Sequence, residues 1–264
     1  MKKNLSLFIL LSLLIFAVSC GMSGGGGGDE QLTEKLRVVH AAPTLGKITI
    51  LQDEKPIVER MLYGTGSEYV ELDENSASIF SIKVEPEFVI PILAVEEDVT
   101  GPYKKTLMVT ESGGQPVFTF IADQTATELP TDESRLRFIN AASTSESIDV
   151  YVTSPTTSLQ NRTPIASKLE FLKASSYFPT TPGDYRIRIA VNTATDTTTT
   201  TTATSATAAA ATTTDTSSTS SSTPDIDYDS SDYPIDSGEE VSFILLEARG
   251  GGRPYRGLTL RAVP

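Results

Sequence analysis

The sequence has no tryptophan, one cysteine and one histidine in 264 residues. A single cysteine cannot close an intrachain disulfide, and it cannot build the thiolate clusters of structural zinc sites. Any triad or metal centre that needs histidine has only His40 to draw on. Positive charge is also scarce: 21 Lys and Arg stand against 34 Asp and Glu, a net charge of −13. Without a clustered basic patch there is nothing to grip a phosphate backbone, which argues against nucleic-acid binding. No apolar run reaches the about 20 residues that a membrane-spanning helix requires, and residues 36–264 carry no amphipathic helical pattern.

What is present begins with a short basic head, Lys2 and Lys3, followed by the apolar run Leu5 to Val18 and then Ser19-Cys20. That layout is an export signal over residues 1–19. The residues Ala17-Val18-Ser19-Cys20 resemble the lipobox of bacterial lipoproteins, with Ala17 where that family usually has Leu. The resemblance implies cleavage before Cys20 and a diacylglycerol thioether on its sulfur, hence a membrane partner reached through lipid. Each buried CH₂ contributes about 0.8 kcal/mol, so two or three acyl chains hold a protein on a bilayer almost permanently. Residues 20–35, with Gly24 to Gly28, read as a flexible tether. Cleavage removes Lys2 and Lys3 and no acid, which takes the charge from −13 to −15. In a two-membrane bacterium, Gly21 after the cysteine, rather than Asp, implies by lipoprotein sorting an extracytoplasmic protein of the bacterial outer membrane.

The body of the chain repeats. Leu36-Arg37-Val38-Val39-His40-Ala41-Ala42 returns 100 residues later as Leu136-Arg137-Phe138-Ile139-Asn140-Ala141-Ala142. Lys47 to Leu51 matches Ser147 to Tyr151, Gly66 to Val70 matches Ala174 to Phe178, and Phe80 to Val84 matches Tyr185 to Ile189. Such a period is a duplicated domain and too long for a solenoid. Ile148, Val150 and Val152 alternate with Asp149 and Tyr151, and Tyr185, Ile187 and Ile189 alternate with Arg186 and Arg188. Period two with Val, Ile and Tyr predicts half-buried strands, and Gly- and Pro-rich turns separate them. The expected fold is all-β, two tandem antiparallel Ig-like β-sandwiches over residues 36–130 and 131–264. Residues 192–223, almost entirely Thr, Ala and Ser, carry too little apolar surface to offset ordering entropy and are expected to form a disordered loop within the second.

The opening Leu36-Arg37-Val38-Val39-His40-Ala41-Ala42-Pro43, the strand Ile148-Asp149-Val150-Tyr151-Val152 and Pro182-Gly183-Asp184-Tyr185-Arg186-Ile187-Arg188-Ile189 together resemble the DUF4397 family. The resemblance implies an exported β-rich bacterial protein with tandem copies and brings no catalytic residues.

Three segments have some chemical character. His40 sits in the repeated strand with Asn140 as its counterpart, so a hydrogen-bonding role at a strand end explains both better than catalysis does. The acids from Asp225 to Asp236 have a calcium-loop spacing but place Ser230 and Asp236 where such a loop needs Gly and Glu. A solvated acidic strand edge is the simpler reading. Arg249, Arg253 and Arg256 flank Gly250 to Gly252. The strand-like continuation after them predicts a hairpin loop rather than a phosphate cradle at a helix start. The expectation is therefore a lipid-anchored cell-envelope binding or structural module, lipidated at Cys20, that is not an enzyme and uses no cofactor, catalytic residue or metal. An envelope protein or glycan is its expected partner. The alternatives are a glycan-processing envelope hydrolase and a calcium-dependent adhesin.

Overall fold

The computed structural model describes residues 34–72, 80–85, 88–91, 104–123, 129–130, 132–192 and 223–262. The expected export signal 1–19, Cys20, nearly all of the expected tether 20–35 and nearly all of residues 192–223 lie outside them. Among the described residues every regular element is a strand, in keeping with the period-two pattern.

The first half contains β1 (Lys35–His40), β2 (Ile48–Gln52), β3 (Lys55–Met61), β4 (Thr65–Gly66) and β5 (Val70–Glu71), then β6 (Phe80–Val84), β7 (Phe88–Pro91), β8 (Lys104–Ser112) and β9 (Gln115–Asp123). The second contains β10 (Ser134–Asn140), β11 (Ser147–Thr153), β12 (Ala166–Glu170), β13 (Phe178–Thr180) and β14 (Gly183–Asn192). It ends with β15 (Tyr228–Asp229), β16 (Tyr233–Ile235), β17 (Glu240–Leu246) and β18 (Arg256–Ala262). Pairing follows one plan in both. An inner sheet runs β4-β1-β8-β9 in the first half and β13-β10-β17-β18 in the second; an outer sheet runs β3-β2-β6-β7 and β12-β11-β14-β15.

The sheets are not wholly antiparallel. β1 pairs with β8, and β10 with β17, in parallel. Each pair joins an early and a late strand of its half, and a long intervening chain is what a parallel pair requires. Local irregularities recur as well. The register of β2 on β3 shifts between Ile48 and Ile50, and that of β11 on β12 between Ile148 and Val150. At these bulges Arg60 and Lys168 take positive φ, and their amides donate to Thr49 Oγ1 and Asp149 Oδ1. A bulge bends a strand and leaves a backbone group to satisfy, which both halves do with a side-chain acceptor.

One match from the sequence moves. The sequence sets Ile82 against Ile187, whereas Ile82 pairs with Ile50 and the equivalent Val150 pairs with Ile189. The offset is two residues, so each side chain keeps its face.

Each half buries its own core between inner and outer sheets. Leu36, Val38, Ile48, Ile50, Ile82, Leu107 and Val109 fill the first, and Leu136, Phe138, Ile148, Val150, Ile187, Ile189 and Phe243 the second. A third apolar cluster draws on both halves: Val39, Ala41, Tyr63, Met108 and Ile121 meet Ile139, Ala141, Ile244, Leu246 and Leu260. The inner sheets thus pack face to face, and β1, β8, β10 and β17 are buried on both sides. This is why Leu36 to Ala42 and Leu136 to Ala142 lack the polar alternation of half-exposed strands.

Candidate functional site at the seam between the halves

Alternation along β1 and β10 sends Leu36 and Val38, or Leu136 and Phe138, into each half's own core, and Arg37 and Val39, or Arg137 and Ile139, toward the seam. Two arginines are therefore carried into an apolar interface. Burying a charge without a partner is expensive, and a partner is supplied by Asp123 at the end of β9.

Arg137 Nη2 donates to Asp123 Oδ1, its Nη1 to the Ala122 carbonyl at 3.0 Å and its Nε to Ser242 Oγ at 2.8 Å. On the first-half side, Thr106 Oγ1 and the Tyr69 hydroxyl each donate to Asp123 Oδ2 at 2.6 Å. Arg37 reaches the same carboxylate less closely. Its Nη2 lies 3.7 Å from Oδ2, while Nε and Nη2 donate to Thr106 Oγ1 at 3.3 and 3.2 Å. The side chains of Arg37, Arg137 and Asp123 are at most 5% exposed. Tyr69 stacks on Arg37 with 4.7 Å from guanidinium carbon to ring centre, and Tyr177 stacks on Arg137 at 4.8 Å and on Arg135 at 4.7 Å. Arg135 is paired in turn with Glu240. Burial pushes the Tyr69 and Tyr177 hydroxyls well above the usual tyrosine range. The positions correspond between halves except for the acid, since Asp123 pairs with Lys104 across its hairpin and the matching place opposite Glu240 is Ala262. One carboxylate serves both arginines.

At the ends of the same strands, on the side facing each half's own core, His40 and Asn140 perform the same task. His40 Nε2 is 2.8 Å from the Gly46 carbonyl and Nδ1 accepts from the Ala42 amide at 3.4 Å; Asn140 Oδ1 accepts from the Ala142 amide at 3.2 Å. His40 is fully buried, and burial is the main cause lowering its pKa. Glu111 and Glu247 form another equivalent pair. Glu111 accepts from the Thr44 amide at 2.9 Å and hydroxyl at 2.5 Å, and Glu247 from the Thr144 amide at 2.6 Å, Ser143 Oγ at 3.0 Å and the Gly252 amide at 2.9 Å. The Tyr63 hydroxyl crosses the seam to the Glu247 carbonyl at 2.6 Å, and burial pushes it up to about 12.

The glycine-rich segment is a hairpin loop between β17 and β18, with Leu246 opposite Arg256. Arg253 is paired with Asp227 at 2.5 Å. The acids of residues 225–236 are dispersed among structural partners. Asp227 also accepts from the Val191 amide at 2.7 Å, Asp229 takes both arms of Arg186, and Asp236 is 80% exposed. Among the described residues no group of three or more His, Cys, Asp or Glu is arranged to hold a metal, and no helix is long and apolar enough to cross a membrane. Sequence reasoning missed Asp123, Arg37, Arg137, Glu111 and Glu247. The signal was available for the arginines: a charge at the same place in both copies of an otherwise apolar strand calls for a buried partner.

Comparison with protein families matches residues 34–151 to a domain of unknown function. A DUF4397 domain is found there. The DUF4397 match takes in the whole first half, β10, and β11 as far as Tyr151. No curated protein matches this chain. One solved structure, titled for alpha-glucan binding by a streptococcal virulence factor, is 8% identical over 60% of this chain and 80% of its own, with a TM-score of 0.18. A likeness at that level carries no argument.

Proposed function

We propose that this chain is an exported bacterial envelope protein, anchored by lipid on Cys20, whose two tandem DUF4397-like sandwiches act as a binding or structural module. The observation that carries the module reading is the use made of buried charge. His40, Lys105, Glu111, Asp123, Arg137, Glu239 and Glu247 each engage a partner within the fold. Groups tied down in this way stiffen a scaffold; a general acid or base needs reach to a substrate proton. The anchor is supported by the resemblance of Ala17 to Cys20 to a lipobox and by Cys20 being the chain's one cysteine. The tandem arrangement is supported by the repeated strand order of the two inner and two outer sheets.

The anchor is tested by Cys20→Ser, expressed with its leader in a bacterium and followed by fractionation and labelling with a radioactive fatty acid. The account expects label on the parent, none on the variant, and release or unprocessed retention of the variant. Equal processing and membrane recovery without label on either protein would overturn the anchor.

A further inference from the structure

Arg137 has each of its guanidinium nitrogens hydrogen-bonded: to Ser242, the Ala122 carbonyl and Asp123. Its counterpart Arg37 is not so fully engaged. Nε and Nη2 share the single Thr106 hydroxyl, Asp123 stands off at 3.7 Å, and Nη1 has no hydrogen-bond partner among the described residues.

This under-used cation opens on a groove. Gly64 to Tyr69 of the first half and Leu258 to Arg261 of the second, with Arg37 between them, enclose about 450 Å³. Arg261 at the far wall is engaged by Glu239 at 2.6 Å, so the free donor capacity lies with Arg37. A planar guanidinium held rigidly against Tyr69 matches two oxygens of a carboxylate or phosphate, and fixing it in advance lowers the entropy lost on binding. Glu68 on the groove wall and the net charge of −13 disfavour a polyanion. We infer that this groove binds a small ligand through one carboxylate or phosphate group paired with Arg37.

The inference rests on the module reading and names the chemistry of its ligand. It is tested on the full chain by calorimetric titration with D-glucuronate and glucose 6-phosphate, and with glucose as the neutral probe. Binding of either anion about tenfold or more tighter than glucose supports the groove, in line with the energy of a charge-assisted hydrogen bond; which anion binds identifies the oxyanion source. Arg37→Gln should abolish that preference. Because this change also touches the seam, Thr65→Phe provides a second test, filling the groove from an exposed position while leaving the arginines' own hydrogen-bond partners in place. Anions no better than glucose, or an unchanged preference in folded Thr65→Phe, would overturn the inference. Either result leaves the lipid anchor standing, since fractionation of Cys20→Ser tests that separately.

Discussion

Asp123, the last residue of β9 in the first half, accepts from Arg137 in β10 of the second. Through this ion pair, and the Thr106 and Tyr69 hydroxyls that share the carboxylate, a buried polar knot is built into an otherwise apolar seam.

Removing that carboxylate should be among the most damaging single changes. Asp123→Asn leaves two buried guanidiniums without a counter-ion, and breaking a buried pair from one side costs about 3–5 kcal/mol. Asp236→Asn, at a side chain 80% exposed, should change stability by less than about 0.5 kcal/mol. Urea unfolding of the two variants side by side measures the difference.

His40 makes stability depend on pH. Burial holds its folded pKa below the ordinary histidine value of 6.5, so the unfolded chain binds the proton more tightly. The stabilisation is present in full above the unfolded pKa and is lost as pH falls through 6.5 toward the depressed folded value. His40→Asn, which installs the residue of the second half, should flatten the pH dependence in that window while keeping an acceptor for the Ala42 amide. His40→Ala strands that amide and should cost about 1–3 kcal/mol at pH 7.5. Thermal melts of the three proteins between pH 5 and 8 compare them.

Tyr63 acts at the opposite end of the scale. Its hydroxyl is pushed up to about 12, from 10, so the neutral form favours folding and stability declines once pH rises past 10. Tyr63→Phe removes the bond to the Glu247 carbonyl and should cost about 1 kcal/mol at neutral pH. Ultraviolet titration should show correspondingly less late-ionising phenolate in the variant.

Gly257 is required for space. A Cβ there would press on the Phe243 ring and stand 2.7 Å from the Tyr228 hydroxyl. Phe243 is 2% exposed within the second core, so the ring has little room to withdraw. Gly257→Ala should destabilise by about 1–3 kcal/mol, as overpacked cores do. Gly113→Ala, at a turn with open space but positive φ, separates steric crowding from backbone strain. Denaturant midpoints for the two variants provide the test.

The strands were largely legible because alternation is local. Ile148-Asp149-Val150 and Tyr185-Arg186-Ile187 declare their faces within a few residues, and the recurrence of Leu36 to Ala42 at Leu136 to Ala142 falls on the equivalent strands β1 and β10 of the two sheet orders. The role of His40 was legible too, because Asn140 in its place shares only the ability to hydrogen-bond. What sequence reading missed was long-range. The parallel pairing of β1 with β8 joins residues 69 apart, as Arg37 and Thr106 illustrate, and nothing local encodes it. Leu36 to Ala42 stands out in the sequence as a repeat, and its lack of polar alternation signals a strand buried on both faces. Asp123 has no equivalent in the second half, so the repeat could not point to it. The two-residue offset of Ile82 against Ile187 leaves no trace in the sequence pattern, because a shift of two preserves the hydrophobic face.

The apolar and polar seam shared by the two halves implies that they unfold as one body. Differential scanning calorimetry of the full chain tests it most directly. The account predicts one transition whose calorimetric and van't Hoff enthalpies agree, a ratio of about 1. Two separate transitions, with Asp123→Asn moving only that of the first half, would contradict it.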